Sequence, residues 1–137
     1  MSNRPEILFE GYTEREILAL PREQVEAMIL TGRPVVFRAG SAMILGEFRV
    51  DENRLRIELA QIEGGGEGLL LGLGALARRF ALLNDLRAVE WIVHAVHCAK
   101  PNLKLRRVLE RRGFVVSKLP NVDGAYYKLE AITGRPQ

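Results

Sequence analysis

The stretch Glu63-Gly64-Gly65-Gly66-Glu67-Gly68 constrains this chain more than any other. It places four glycines in six residues, directly before the apolar run Leu69-Leu70-Leu71-Gly72-Leu73-Gly74-Ala75-Leu76-Ala77. Upstream, Leu55-Arg56-Ile57-Glu58-Leu59 alternates at period two, the pattern of a half-buried strand. A plain connection seldom uses three successive glycines before a strong helix, because each one costs backbone entropy. A strand that ends in glycines and opens a helix brings main-chain N–H groups close to an anion. Glycine has no Cβ to block the approach, and the first N–H groups of a helix lack internal partners. The feature predicts a phosphate or pyrophosphate held by backbone.

Length and composition bound the rest. A chain of 137 residues that is 47% hydrophobic fits one globular domain, with residues 133–137 as a frayed tail. The net charge of +3 is modest but unevenly spread. Residues 99–119 hold seven Lys or Arg against one Glu, a basic patch suited to an anionic ligand. Few aromatic residues accompany that patch, which argues against nucleic acid. The single Cys98 excludes an internal disulfide and fits a reducing compartment. No signal peptide or membrane-length apolar run is visible, so the expected location is the cytoplasm. His94, His97 and Cys98 lack the further ligands that a metal site needs.

Local signals give an order of elements. Ile7-Leu8-Phe9-Glu10 reads as a short edge strand. Thr13 with Glu16 makes a capping box for a helix through Ile17, Leu18 and Leu20. Pro21 starts a second helix that stops at Thr31-Gly32. Residues 34–38, 43–50 and 55–59 form three strands joined by short turns, an antiparallel meander. A helix over residues 67–83 follows, apolar nearly all round apart from Arg78 and Arg79, so it should be covered on most sides. Residues 89–96 make a central strand. A helix opens at Pro101-Asn102 and closes at Gly113 as a left-handed cap. Strands at Phe114-Val115-Val116 and residues 126–129 complete the order β-α-α-β-β-β-α-β-α-β-β.

This order, with the glycine loop after the fourth strand, resembles the GNAT superfamily of acyl-CoA-dependent N-acyltransferases over nearly the whole chain. Two anchors carry the resemblance. The loop keeps the glycines of the family's pyrophosphate motif and departs at Glu63, where Arg or Gln is usual. Asn102 and the Gly113-Phe114 pair stand where the family opens and closes the same helix. A tyrosine that can protonate the departing thiolate often lies four residues before that Gly; here it is Leu109.

The resemblance implies an α/β fold: a GNAT-like mixed, mainly antiparallel sheet with helices on both faces. It implies transfer of an acyl group, expected to be acetyl, from acetyl-CoA or another acyl-CoA to an unidentified amine. Glu63, Gly64, Gly65, Gly66, Glu67, Gly68 and Leu69 would hold the pyrophosphate. The main chain of Leu59, Ala60 and Gln61 would pair with the pantetheine arm. Asn102 and Arg106 would also meet the cofactor. A homodimer is compatible with this reading.

The chemistry asks for a group that removes a proton from the acceptor ammonium. Glu58, at the end of the alternating strand, is the candidate base, against a reading as a solvated residue on a polar face. His97 is a candidate for proton transfer. His94 and Cys98 share a strand face but lie roughly 13 Å apart, too far for a thiol–imidazole pair. Arg78, Arg79, Arg106, Arg107, Arg111 and Arg112 either bind phosphate or form solvated helix faces. Of Tyr126 and Tyr127, which point to opposite faces, one should be core and the other could line the acceptor cleft. Glu63 and Leu109 both remove expected chemical groups. They support the rival reading, a non-catalytic acyl-CoA-binding or protein-interaction module.

Overall fold

The computed structural model describes residues 7–39, 42–63, 66–94, 103–116 and 125–132. The elements in chain order are β1 (Ile7–Phe9), β2 (Tyr12–Thr13), α1 (Glu14–Ala19), α2 (Arg22–Met28), β3 (Pro34–Ala39), β4 (Ala42–Asp51), β5 (Arg54–Glu63), α3 (Gly66–Leu83), β6 (Ala88–Val93), α4 (Leu103–Arg111), β7 (Val115–Val116) and β8 (Tyr126–Ala131). They build one eight-stranded sheet in the order β2-β1-β3-β4-β5-β6-β8-β7. The described pairs are antiparallel except β5–β6, which is parallel and bridged by α3. This is the mixed, mainly antiparallel α/β sheet expected. No helix among the described residues is long and apolar enough to cross a membrane.

Local chemistry explains the boundaries. Thr13 Oγ1 accepts from the Glu16 N–H, and Glu16 Oε1 accepts from the Thr13 N–H, so the capping box forms. Glu52 and Asn53 both take positive φ, of 52° and 62°, the geometry of a tight turn that folds β4 onto β5. Gly113, at φ 89°, ends α4 in a Schellman motif. The Gly113 N–H donates to the Glu110 carbonyl and the Phe114 N–H to the Leu109 carbonyl. Phe114 and Leu109 are both buried, as that motif requires.

β5 runs on to Glu63, past the expected end at residue 59, and α3, expected to be covered on most sides, leaves Leu71, Leu82 and Leu83 exposed. Two features of the topology differ as well. β1 is not an edge strand, because the two residues of β2 pair outside it at Leu8 and Phe9. The helices, expected on both faces, all pack on one face among the described residues. Ile17, Val25, Leu73 and Phe80 meet Phe9, Phe48 and Ile57 in one apolar layer. Phe114 crosses Trp91 edge-on at 6.4 Å, and Trp91 is the register partner of Ile57, so α4 sits on that face too. The opposite face carries Glu47, Arg49, Arg56, Glu58, Glu90 and Tyr127 at the alternate positions.

Three rings centre the core: Phe9 stacks on Phe37 at 4.9 Å, and Phe48 meets each edge-on. Gly46 lies beside them. A Cβ there would stand 3.1 Å from both Leu59 Cδ2 and Phe37 Cε1. Gly46→Ala is therefore expected to lower stability by about 1–3 kcal/mol, through overpacking between rigid strands. Denaturant unfolding reads this directly, and a variant as stable as the parent contradicts the packing described.

Candidate functional site at the end of the parallel strand pair

Among the described residues, the ladder between β5 and β6 stops before β5 does. Register pairs run from Arg54–Ala88 to Leu59–Val93, and the His94 N–H donates to the Leu59 carbonyl at 2.9 Å. β5 continues to Glu63, paired only on its β4 side among the described residues. There the register slips: Gly46 faces Leu59 while Leu45 faces Gln61, which leaves Ala60 as an extra residue. A bulge of this kind bends its strand, and here it lies where β5 and β6 part. α3 begins at Gly66, three positions after β5 ends. The helix start, with its unpaired N–H groups, thus lies at the mouth of the gap.

On the uncovered face, one register row before the gap, Glu58 meets His94. His94 Nε2 donates to Glu58 Oε2 at 2.7 Å, and both side chains are about one-third exposed, at 39% and 31%. The covered face beneath is closed: Leu59, Val93 and Tyr126 share one row and are fully buried. The other face is polar at Glu58 and His94, while Ile92, the register partner of Glu58, is buried there with Ala125, and Tyr127 packs against them.

Around this centre the sequence candidates sort clearly. Ala60, Gln61 and Glu63 lie on the strand extension, and Gly66, Glu67, Gly68 and Leu69 form the first turn of α3. Gly64, Gly65, His97, Cys98 and Asn102 lie outside the described residues. Arg106 is half-buried on α4, and its Nε donates to the Tyr126 hydroxyl at 3.1 Å. That hydrogen bond, and the hydroxyl's own electrostatics, raise the Arg106 pKa. Tyr126 in turn donates to Glu110 Oε2 at 2.8 Å. Its ring fills core space beside Leu109, which is also fully buried and presents no polar atom. Arg78 pairs with Glu130 at 3.2 Å and Arg79 with Glu14 at 3.5 Å. Arg111 and Arg112 instead line a groove with Leu71, Val108 and Lys128.

Sequence reasoning missed the Glu58–His94 contact. In sequence, His94 stands beside His97 and Cys98, and these nearby residues draw the reading away from Glu58. The available signal was the alternation of both strands. Once Leu59 and Val93 are taken as opposed core residues, Glu58 and His94 fall on the other face at the same end. Of the two tyrosines, Tyr126 is the core one. Tyr127 lies on the open face, and its hydroxyl donates to Glu90 Oε2 at 2.7 Å.

No family model matches the chain. A curated protein, riboflavin biosynthesis protein RibBA of Bacillus mycoides (strain KBAB4), is 30% identical over 118 residues. That match takes in 82% of this chain, which spans only 30% of the length of that protein. Among solved structures, Ard1 from Thermoplasma volcanium aligns at 12% identity and a TM-score of 0.42, covering 94% of this chain and 99% of its own. An N-acetyltransferase assigned in Lactobacillus plantarum aligns at 14% and 0.42, covering 96% and 100%. A GNAT-family acetyltransferase from Staphylococcus aureus Mu50 aligns at 13% and 0.43, covering 88% and 85%. These overlaps are loose, so the fold assignment rests on the sheet itself: a meander, a bulged strand, a parallel partner across a helix, and a final antiparallel pair. The sheet has the mixed, mainly antiparallel order that the sequence resemblance implied. Within it, the end of the β5–β6 pair is the feature to which chemistry must be assigned.

Tyr127 supplies a pH test of the open face. Burial first, then the hydrogen bond to Glu90 and that carboxylate's charge, raise the Tyr127 pKa above the usual 10.0. A raised folded pKa favours the neutral phenol, so its contribution to stability is complete below about pH 10 and lost as pH rises through the folded value. Alkaline difference spectroscopy should show late tyrosine ionisation, and Tyr127→Phe should reduce its amplitude by one tyrosine. Loss of an early phase instead would place Tyr127 in solvent.

Proposed function

We propose that this chain is an acyl-CoA-dependent N-acyltransferase, with acetyl as the acyl group, that transfers directly to an amine. The observation that carries the reading is the gap where β6 ends at Val93 while β5 runs on to a glycine-rich helix start. Main-chain N–H groups of residues 64–69 would hold the pyrophosphate, where the α3 dipole favours negative charge. The main chain at the end of the ladder, residues 59–61, would pair with the pantetheine amides, Ala60 and Gln61 foremost because the Leu59 carbonyl already accepts the His94 N–H. Asn102 and Arg106, at the start of α4, would flank the same ligand. The thioester would then lie in the gap and meet the acceptor from the open face.

Glu58 suits the role of base. Its carboxylate accepts the His94 Nε2–H, which fixes one oxygen and leaves further lone pairs for the acceptor ammonium. Deprotonation frees the nitrogen lone pair to attack the thioester carbonyl. The carbonyl oxygen gains negative charge, which a main-chain N–H at the gap can stabilise. Collapse expels CoA thiolate, and a proton returns to sulfur. His97 remains a candidate for that return. A second reading, an acyl-CoA-binding module without turnover, draws on one observation: Leu109 is fully buried and offers no proton where a tyrosine often stands.

Two measurements test the reading. Gly66→Val should weaken acetyl-CoA binding in isothermal titration by about tenfold or more, since a branched side chain obstructs the backbone approach. Normal binding moves the cradle elsewhere. Glu58→Gln should lower turnover by about 10²-fold at unchanged acetyl-CoA affinity. Unchanged turnover in a thiol-release assay removes Glu58 as the base, and the absence of turnover by the parent with every amine favours the module.

A further inference from the structure

The open face of the sheet bears two like-charged cross-strand pairs in adjacent rows. Glu47 stands opposite Glu58, and Arg49 opposite Arg56. Like charges directly opposite on a sheet are destabilising. Exchanging one residue of each pair would turn both rows into ion pairs, so a purely structural role does not account for this arrangement. The charges do not neutralise one another locally either. Among the described residues, Glu47 and Arg49 make no hydrogen bond or ion pair. Arg56 reaches only Glu90, at 3.8 Å, and its Nε is buried without a hydrogen-bond partner. Glu47, Arg49, Arg56 and Glu58 line one cleft with Gly32.

We propose that this cleft selects a zwitterionic acceptor. The ammonium lies between Glu47 and Glu58, and a carboxylate or phosphate lies against Arg49 and Arg56. The two rows are two residues apart along the strand, roughly 6.8 Å, so the acceptor carries its charges about that far apart. The proposal rests on the acyl-transfer reading for the identity of the reaction. The electrostatics of the cleft stand independently of it. Glu58 thus has two partners in different roles: His94 orients it, and Glu47 shares the cation. Arg49 and Glu47 are specificity residues that reach the ends of the acceptor.

The test is direct binding of 5-aminovalerate, with pentylamine, valerate and cadaverine as single-sign controls of matched length. Each is titrated into the full chain by calorimetry, with and without saturating CoA. The zwitterion should bind about tenfold or more tighter than any control, the discrimination that about 1.4 kcal/mol supplies. Arg49→Gln should bring it down to the level of pentylamine, and Glu47→Gln to the level of valerate. Circular dichroism establishes that each variant is folded. Controls that bind as well as the zwitterion, variants that keep its preference, or no binding of any probe would each overturn the proposal. A parallel titration with acetyl-CoA separates the two claims. Failure there sinks the acyl-transfer reading while a zwitterion preference still stands, and CoA binding without that preference sinks only this one.

Discussion

The hydrogen bond from the His94 N–H to the Leu59 carbonyl is the last rung of the parallel ladder among the described residues, and the proposed site is built around that end. Ala60 lies just beyond it. As the extra residue opposite Leu45 and Gly46, it bends β5 at the point where β6 ends. The bulge is tolerated because Gly46 has no side chain to collide with Leu59 and Phe37. One small residue on β4 thus permits an irregularity on β5, which opens the gap before α3.

The distribution of helices gives that gap two unlike sides. On the covered side, Leu59, Val93 and Tyr126 are sealed beneath α3 and α4, and the Arg106–Tyr126–Glu110 chain of hydrogen bonds ties α4 to the last long strand. On the other side, strand alternation gathers Glu47, Arg49, Arg56, Glu58 and Glu90. In the proposal, the acyl-CoA lies near the helix start at the end of β5, and the amine comes from the polar face. In the proposed reaction the two reactants approach from opposite faces, which keeps their binding requirements independent.

Much of this was legible in the residues. Thr13 with Glu16, Pro21, and Gly113 before Phe114 act within a few residues of themselves, so their caps and boundaries could be read directly. The alternation of Leu55, Ile57 and Leu59 correctly placed Glu58 on an uncovered face. What escaped were facts set by tertiary register. The two-residue strand β2 has too little sequence to show a period. The Ala60 bulge sits in a run whose apolar pattern does not break visibly. The meeting of Glu58 and His94, 36 positions apart, depends on how α3 docks and sets the parallel register, and no local signal encodes that. The ion pairs of Arg78 with Glu130 and of Arg79 with Glu14 were equally hidden, because neither partner adjoins its arginine in sequence.

The central claim is that main chain at the end of β5 and the start of α3 holds acyl-CoA. Amide hydrogen exchange with and without acetyl-CoA examines it without any substitution. The account predicts slowed exchange in peptides that span residues 59–69 on ligand addition, and unchanged exchange in those spanning β3 and the first half of β4. Protection confined to other segments, or none at a saturating ligand concentration, would contradict it.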